Sequence, residues 1–238
     1  LLAQAIDDDT ALVAVMAANN EIGTLQPLDA LGAVCRDRGV PLFTDAAQAV
    51  GKIPFRVADL PVDLAAFSAH KLYGPKGIGA LWVRRGRPRI RLAPRIEGGG
   101  HERGLRAGTP NVPAIVGFGQ ACRLAAEALG EEAIRLACLR DHLWARLTGE
   151  LGGASVTGSM AHRLPGNLHV SLDGVEARAL MEAVPDVAIS AGSACTSASQ
   201  ETSHVLRGLG LPDARAYTSI RFGLGRWTTR EEVDVAAD

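Results

Sequence analysis

The sequence predicts an α/β protein: a first part built on a mostly parallel sheet, followed by a smaller α+β part. Three observations lead there. Short apolar runs alternate with helix-period segments in the first half, a long helical periodicity takes over after residue 114, and strand and helix patterns alternate again beyond residue 166.

Ala11-Leu12-Val13-Ala14-Val15-Met16 reads as a buried strand. Pro27 followed by Leu28, Leu31, Val34 and Cys35 reads as a helix opened by proline and stopped at Gly39. A second buried strand is expected over Val40 to Thr44, and two more over Val62 to Phe67 and Ile78 to Val83. Between these last two lie the polar run Ser68-Ala69-His70-Lys71 and the turn Tyr73-Gly74-Pro75-Lys76-Gly77. From Ala114 to about Glu150, Ile115, Phe118, Leu124, Ala128, Ile134, Leu139, Leu143 and Leu147 mark a long helical stretch that Gly130 is expected to interrupt. Beyond it, Asn167 to Leu172, Val187 to Ser190 and Ser219 to Leu224 read as strands, Val175 to Val184 and Thr202 to Leu209 as helices, and Val233 to Asp238 as the start of another helix. The expected domain division is 1-130 and 131-238.

Composition excludes several function classes. A formal net charge of -1 over 238 residues gives no whole-chain attraction to nucleic acid or an anionic membrane. The one basic cluster, Arg84 to Arg95, contains Pro88 and Pro94 and reads as a solvated loop. No apolar run approaches the roughly 20 residues that span a bilayer, and the opening Leu1 to Asp9 stretch lacks the basic start of a secretory signal, so a soluble protein is expected. Four cysteines, Cys35, Cys122, Cys138 and Cys195, show no C-x-x-C pairing, which argues against a zinc site or disulfide framework and suits a reducing cytoplasm.

Open α/β sheets place ligands beyond their strand ends, so the polar residues there carry the first weight. Asn19-Asn20-Glu21 follows the first strand, Asp45-Ala46-Ala47-Gln48 the second, and Ser68-Ala69-His70-Lys71 the third. Singly, an Asp after a strand is more often a cap or turn former, and a Lys before a turn a surface charge. As an ordered set they match what pyridoxal phosphate requires: a Lys to form a Schiff base, an Asp for the pyridine nitrogen, and donors for the phosphate and ring oxygen.

The chain resembles the cysteine desulfurases of the class V aminotransferase group over nearly its whole length. The resemblance rests on Asn19-Asn20-Glu21-Ile22-Gly23, Asp45-Ala46-Ala47-Gln48, Ser68-Ala69-His70-Lys71 with Gly74-Pro75-Lys76-Gly77, Gly98-Gly99-Gly100-His101-Glu102-Arg103-Gly104, Arg106-Ala107-Gly108-Thr109 and Ser193-Ala194-Cys195-Thr196-Ser197. It implies the fold type I of pyridoxal-phosphate-dependent transferases, with 1-130 as a partial large cofactor-binding domain and 131-238 as a small domain carrying a catalytic cysteine loop. It implies Lys71 as the lysine that holds the cofactor, Asp45 at the pyridine nitrogen, Gln48 at the ring oxygen, Ser68 and His70 at the phosphate, and Asn20 beside cofactor and substrate. Thr109 would reach the phosphate of a partner subunit's cofactor, which implies a homodimer. L-cysteine would be converted to alanine, its sulfur taken by Cys195 as a persulfide and passed to an acceptor such as an iron-sulfur scaffold or a tRNA-thiolating protein.

Cys195 separates sulfur transfer from the other chemistries of this fold. Cys35, Cys122 and Cys138 lie in helical patterns, where a free thiol is usually a small hydrophobe. Cys195 lies among Ser190-Ala191-Gly192-Ser193-Ala194 and Thr196-Ser197-Ala198-Ser199, a segment of small residues that reads as a mobile loop. Arg221, between Ile220 and Phe222, is the family's candidate for gripping a substrate carboxylate, and strand alternation turns it away from its apolar neighbours.

Neither glycine-rich segment completes a nucleotide-binding spacing, and both read as backbone turns. His142, His162, His169 and His204 show no metal spacing, and His101 has no derivable role. Members of the family are longer at the N-terminus, where a threonine turn at a helix start holds the cofactor phosphate and a His stacks on the ring. The resemblance therefore implies an N-terminally truncated form. A selenocysteine lyase, another class V aminotransferase and a non-catalytic fragment are the alternative readings.

Overall fold

The computed structural model describes residues 1–86, 90–191 and 202–238. The chain divides into two compact units, one of Leu1–Ala17 with Gln26–Leu129, the other of Ala18–Leu25 with Gly130–Asp238. The segment Ala18–Leu25 thus belongs with the C-terminal half.

The first unit begins with a one-turn helix, α1 (Leu2–Ala5), and a short strand, β1 (Val13–Ala14). Helix α2 (Leu28–Asp37) buries Leu28, Gly32 and Cys35, at spacings of four and three, along one face. It ends where the sequence predicted: Gly39 takes φ +67°, its N–H donates to the Arg36 carbonyl, and the Val40 N–H donates to that of Cys35. These two bonds satisfy carbonyls the last turn would otherwise leave open. Strands β2 (Leu42–Asp45), β3 (Leu64–Ser68) and β4 (Gly79–Val83) complete a sheet of order β1-β2-β3-β4. β1, β2 and β3 run parallel and β4 antiparallel, giving the mostly parallel sheet expected of the fold. β1 keeps two of the six residues expected to be extended.

Arg84 is more than a solvated loop cation. Its guanidinium donates to the carbonyls of Val62 and Leu60 and stacks over Trp82, 5.0 Å from the ring centroid, tying the end of β4 to the loop before β3. Pro88 and part of the basic cluster lie outside the described residues.

Helix α3 (Val112–Glu150) runs without a break through Gly130, contrary to expectation. An exposed helix-interior glycine costs only about 1 kcal/mol relative to alanine, which the flanking turns of strong helix formers outweigh. Residues up to Leu129 belong to the first unit and those from Gly130 to the second.

In the second unit, β5 (Ala154–Val156), β6 (Asn167–Leu172) and β7 (Ser219–Gly223) form an antiparallel sheet of order β5-β6-β7. Leu136, Leu139, Leu143 and Leu147, spaced by three, four and four along α3, pack with Leu168, Val170 and Leu172 of β6 and Ile220 and Phe222 of β7. Each such leucine, withdrawn from water, stabilises the fold by roughly 1.5–3 kcal/mol. The alternate β6 residues, Asn167, His169 and Ser171, face the other way, yet they too are buried. Ser171 and Ser219 share a hydrogen bond across the sheet, 2.8 Å, which keeps that polar pair satisfied.

Short helices α4 (Ala177–Ala183), α5 (His204–Gly208) and α6 (Asp213–Tyr217) connect the strands, and α7 (Arg230–Ala237) ends the chain. Thr229 and Glu232 form a reciprocal capping box at the start of α7. The strand expected over Val187 to Ser190 reduces to one bridge, in which Ser190 and Arg221 exchange backbone hydrogen bonds. The flanking Pro185-Asp186 interrupts any longer ladder.

Candidate active site

Asp45 closes β2, and Ser68 closes its parallel neighbour β3, so both lie at the C-terminal ends of adjacent strands. Asp45 pairs with Ala66, two residues before Ser68, and its own side chain is exposed. One carboxylate oxygen, Oδ1, accepts the Ala47 N–H at 2.8 Å, which fixes the side chain over the turn. Oδ2 accepts from no donor among the described residues.

After β3 the chain makes one 3-10 turn, Ala69–Leu72. Ala69 and Leu72, three apart, are buried, so His70 and Lys71 between them are turned outward. The Ser68 hydroxyl and His70 Nδ1 are 2.7 Å apart; with Ser68 donating, the Nε2–H of the ring is left to donate outward. Tyr73, at φ 61°, ends the turn, and the Gly74 N–H returns to the Ala69 carbonyl.

Gln48 sits in the turns that follow Asp45, partly buried, and its Oε1 accepts from Lys52 Nζ at 2.6 Å. Thr109, exposed, follows a loop in which Arg106 donates to the Gly108 carbonyl at 2.8 Å. Asp45, Gln48, Ser68, His70, Lys71 and Thr109 all belong to the first unit. An exposed carboxylate, a carboxamide, a hydroxyl–imidazole pair and an amine at one sheet edge fit a pyridoxal phosphate: acceptor for a pyridinium N–H, donors for oxygen anions, and a primary amine for the aldehyde.

Asn20 and Arg221 belong to the second unit. As alternation requires, Ile220 and Phe222 are buried in the apolar cluster while Arg221 is partly exposed. Its Nη1 donates to the Asn20 carbonyl at 2.9 Å, leaving further guanidinium N–H groups to donate. The Asn20 loop is held by Asn19, whose Oδ1 accepts from the N–H groups of both Glu21 and Ile22 at 2.9 Å. Cys195 lies outside the described residues.

A buried polar layer accompanies Arg221 that the sequence reading left unassigned. Glu21 and His169 are each fully buried. Glu21 Oε2 accepts from the Ser203 hydroxyl at 2.7 Å, its backbone carbonyl accepts from Asn167 Nδ2 at 3.0 Å, and its Oε1 is 3.9 Å from His169 Nε2. Arg163, also buried, donates to Asn167 Oδ1 at 3.1 Å and to the Thr157 carbonyl.

Burial, then the charges of Arg163 and Arg221, push the His169 imidazole down to about 3. His169 is therefore neutral near pH 7, and its approach to Glu21 is not an ion pair. The unfolded chain binds a proton at His169 below about 6.5 while the folded chain does not, so stability falls as pH drops through that value. Between pH 7 and pH 5 this group alone is expected to remove about 2 kcal/mol of the second unit's stability. Urea denaturation at the two pH values measures it; His169→Asn should remove that share of the pH dependence, and an unchanged dependence would contradict the assignment.

The family model for class-V aminotransferases matches residues 1–235, and the chain belongs to that family. Within it, the chain is similar to cysteine desulfurases. It is 55% identical over 233 residues to a cysteine desulfurase IscS of Anaeromyxobacter sp. strain Fw109-5, covering 98% of this chain and 57% of that protein. It is 52% identical to the mitochondrial cysteine desulfurase of Arabidopsis thaliana, over all of this chain and 52% of the relative. A solved NifS-like protein superposes with a TM-score of 0.89 at 38% identity, over 99% of this chain and 61% of its own. A NifS-like protein from Rickettsia africae superposes at 0.88 with 28% identity, over 99% of this chain and 62% of that one. The chain thus spans a little over half the length of the curated relatives it matches. No helix among the described residues is long and apolar enough to cross a membrane, and none of their His, Cys, Asp and Glu residues group as a metal site.

Proposed function

We propose that this chain carries much of a pyridoxal-phosphate-dependent cysteine desulfurase, which takes sulfur from L-cysteine onto Cys195 and releases alanine. What supports the reading is the parallel pairing of β2 and β3, with Asp45 and the Ser68 to Lys71 run at one sheet edge, in a chain similar to enzymes named for this activity.

When bound, the cofactor supplies an electron sink that loosens the substrate's α-proton and its carbon–sulfur bond. Lys71 would hold the cofactor covalently through its amine. Asp45 would accept the pyridinium N–H through Oδ2 and so keep the ring protonated. Ser68 and His70 would lie at the phosphate, His70 Nε2 donating to it while the Ser68 hydroxyl donates to Nδ1 and fixes the ring; Thr109 would donate to the phosphate of a partner subunit's cofactor, and Gln48 to the ring oxygen. Arg221 binds the substrate carboxylate by paired N–H donors, with Asn20 beside it, and so orients the sulfur. The thiolate of Cys195 would attack that sulfur, the new S–S bond forming as the carbon–sulfur bond breaks, with that bond's electron pair left on the β-carbon, which takes up a proton to become the methyl group of alanine. The first unit is then the cofactor-binding domain and the second the smaller domain that bears Arg221 and Cys195. The persulfide passes to an acceptor protein in the cytoplasm, for iron-sulfur assembly or tRNA thiolation.

The direct test is product analysis of the holoenzyme. L-cysteine as sole amino acid should yield alanine and protein-bound, dithiothreitol-releasable sulfur in equal amounts before turnover. Activity on L-selenocysteine with none on L-cysteine would overturn the proposal in favour of a lyase.

A further inference from the structure

We infer that Lys52 is a positioning residue for Gln48, orienting its carboxamide so that the NH2 group, and not the oxygen, faces the cofactor. The inference rests on the reading of Gln48 as the donor to the cofactor's ring oxygen.

A glutamine side chain ends in an acceptor and a donor of nearly equal size, and either end can turn toward a site. The ring oxygen of the cofactor carries negative charge and needs the donor. Gln48 turned the other way would set its own oxygen against that charge. Lys52 removes the choice. Its amine offers donors to an amide partner, and at 2.6 Å from Oε1 it pairs with the oxygen and directs Nε2 away from itself. A cation on the oxygen also draws electron density through the amide, which strengthens the N–H donors on the opposite side.

The backbone is shaped for the contact. Ala49 N–H and Val50 N–H both return to the Ala46 carbonyl, and Lys52 N–H and Ile53 N–H to that of Ala49, so residues 46 to 53 form two successive tight turns. Between them Gly51 takes φ +74°, and a Cβ there would stand 2.2 Å from Leu72 Cδ2 and 3.1 Å from the Ala125 methyl. Only glycine passes under Leu72 in that conformation, and it brings Lys52 back beside Gln48, four residues earlier. Leu72 also anchors the turn that carries Lys71, so the two turns share one packing point.

The experiment is a spectrophotometric pH titration of the cofactor chromophore in the holoenzyme, with pyridoxal 5'-phosphate affinity measured on the apoenzyme. A donor at the ring oxygen stabilises its anionic form and lowers the chromophore's proton affinity, so losing the donor raises the titration midpoint. Gln48→Leu should raise the midpoint and weaken pyridoxal phosphate binding. Lys52→Met should move both in the same direction, with affinity falling roughly 3- to 10-fold, the range for one net hydrogen bond. Lys52→Arg should restore them. In the Gln48→Leu background, Lys52→Met should add nothing, because its effect passes through Gln48.

If Gln48→Leu shifts the midpoint but Lys52→Met does not, the positioning role is wrong while Gln48 keeps its place. A Lys52→Met shift that persists in full without Gln48 also overturns it, as a direct field effect. If Gln48→Leu itself changes neither quantity, the reading of Gln48 is what fails.

Discussion

Replacing Lys71 with alanine is expected to abolish covalent retention of pyridoxal phosphate and to lower turnover by on the order of 10²–10⁴-fold, the range for losing a positioned proton-transfer group. The chain contains three lysines, Lys52, Lys71 and Lys76, so attachment has few alternatives. Lys52 donates to Gln48 Oε1. Lys76 lies in the turn after Tyr73, beyond the sheet edge that holds Asp45 and Ser68. Lys71 alone follows directly on the Ser68–His70 pair, and buried Ala69 and Leu72 on either side hold it outward. Borohydride reduction of the holoenzyme and peptide mapping should place the label on Lys71. A label on Lys52 or Lys76 would overturn the assignment and with it the role given to Ser68 and His70. The Lys71→Ala protein should still bind pyridoxal phosphate noncovalently, because the phosphate and ring-nitrogen partners remain.

What was legible in the sequence follows from how local each feature is. The strand ends at Asp45 and Ser68 could be read because an apolar run followed by a polar residue is a signal contained in a few positions. Helix α2 could be read at both ends because Pro27 and Gly39 act through their own backbone. Gly130 misled for the opposite reason: its cost is local and small, and the long helix around it prevails. β6 shows the limit of alternation. Leu168, Val170 and Leu172 against Asn167, His169 and Ser171 reads as one buried and one wet face, yet the polar face is covered. Its partners, Glu21 and Arg163, come from segments far apart in the sequence or in other loops, and no periodicity reports them. The Lys52 to Gln48 contact leaves no sequence signal, because a four-residue spacing outside a helix depends on turn geometry set by Gly51.

Replacing Cys195 with alanine is expected to reduce sulfur transfer to background while leaving the cofactor's absorbance and binding intact. The substitution removes one sulfur atom and leaves Lys71, Asp45, Ser68 and His70 of the first compact unit unchanged. The two variants therefore separate the two halves of the chemistry. Lys71→Ala loses the covalent chromophore, whereas Cys195→Ala keeps it and still responds spectrally to added L-cysteine. Other thiols are poor substitutes for the nucleophile. Cys35 is buried at the base of α2, and burial together with the charge of Asp63 pushes its thiol up, away from the reactive thiolate. Cys122 and Cys138 lie along α3. Ser190 exchanges backbone hydrogen bonds with Arg221, the proposed carboxylate-binding residue, and Ser203 donates to Glu21, next to Asn20. Isotopically labelled L-cysteine should mark a Cys195 peptide in the parent enzyme and no peptide in Cys195→Ala. Undiminished labelling in that variant would show that another thiol, or free sulfide, carries the sulfur.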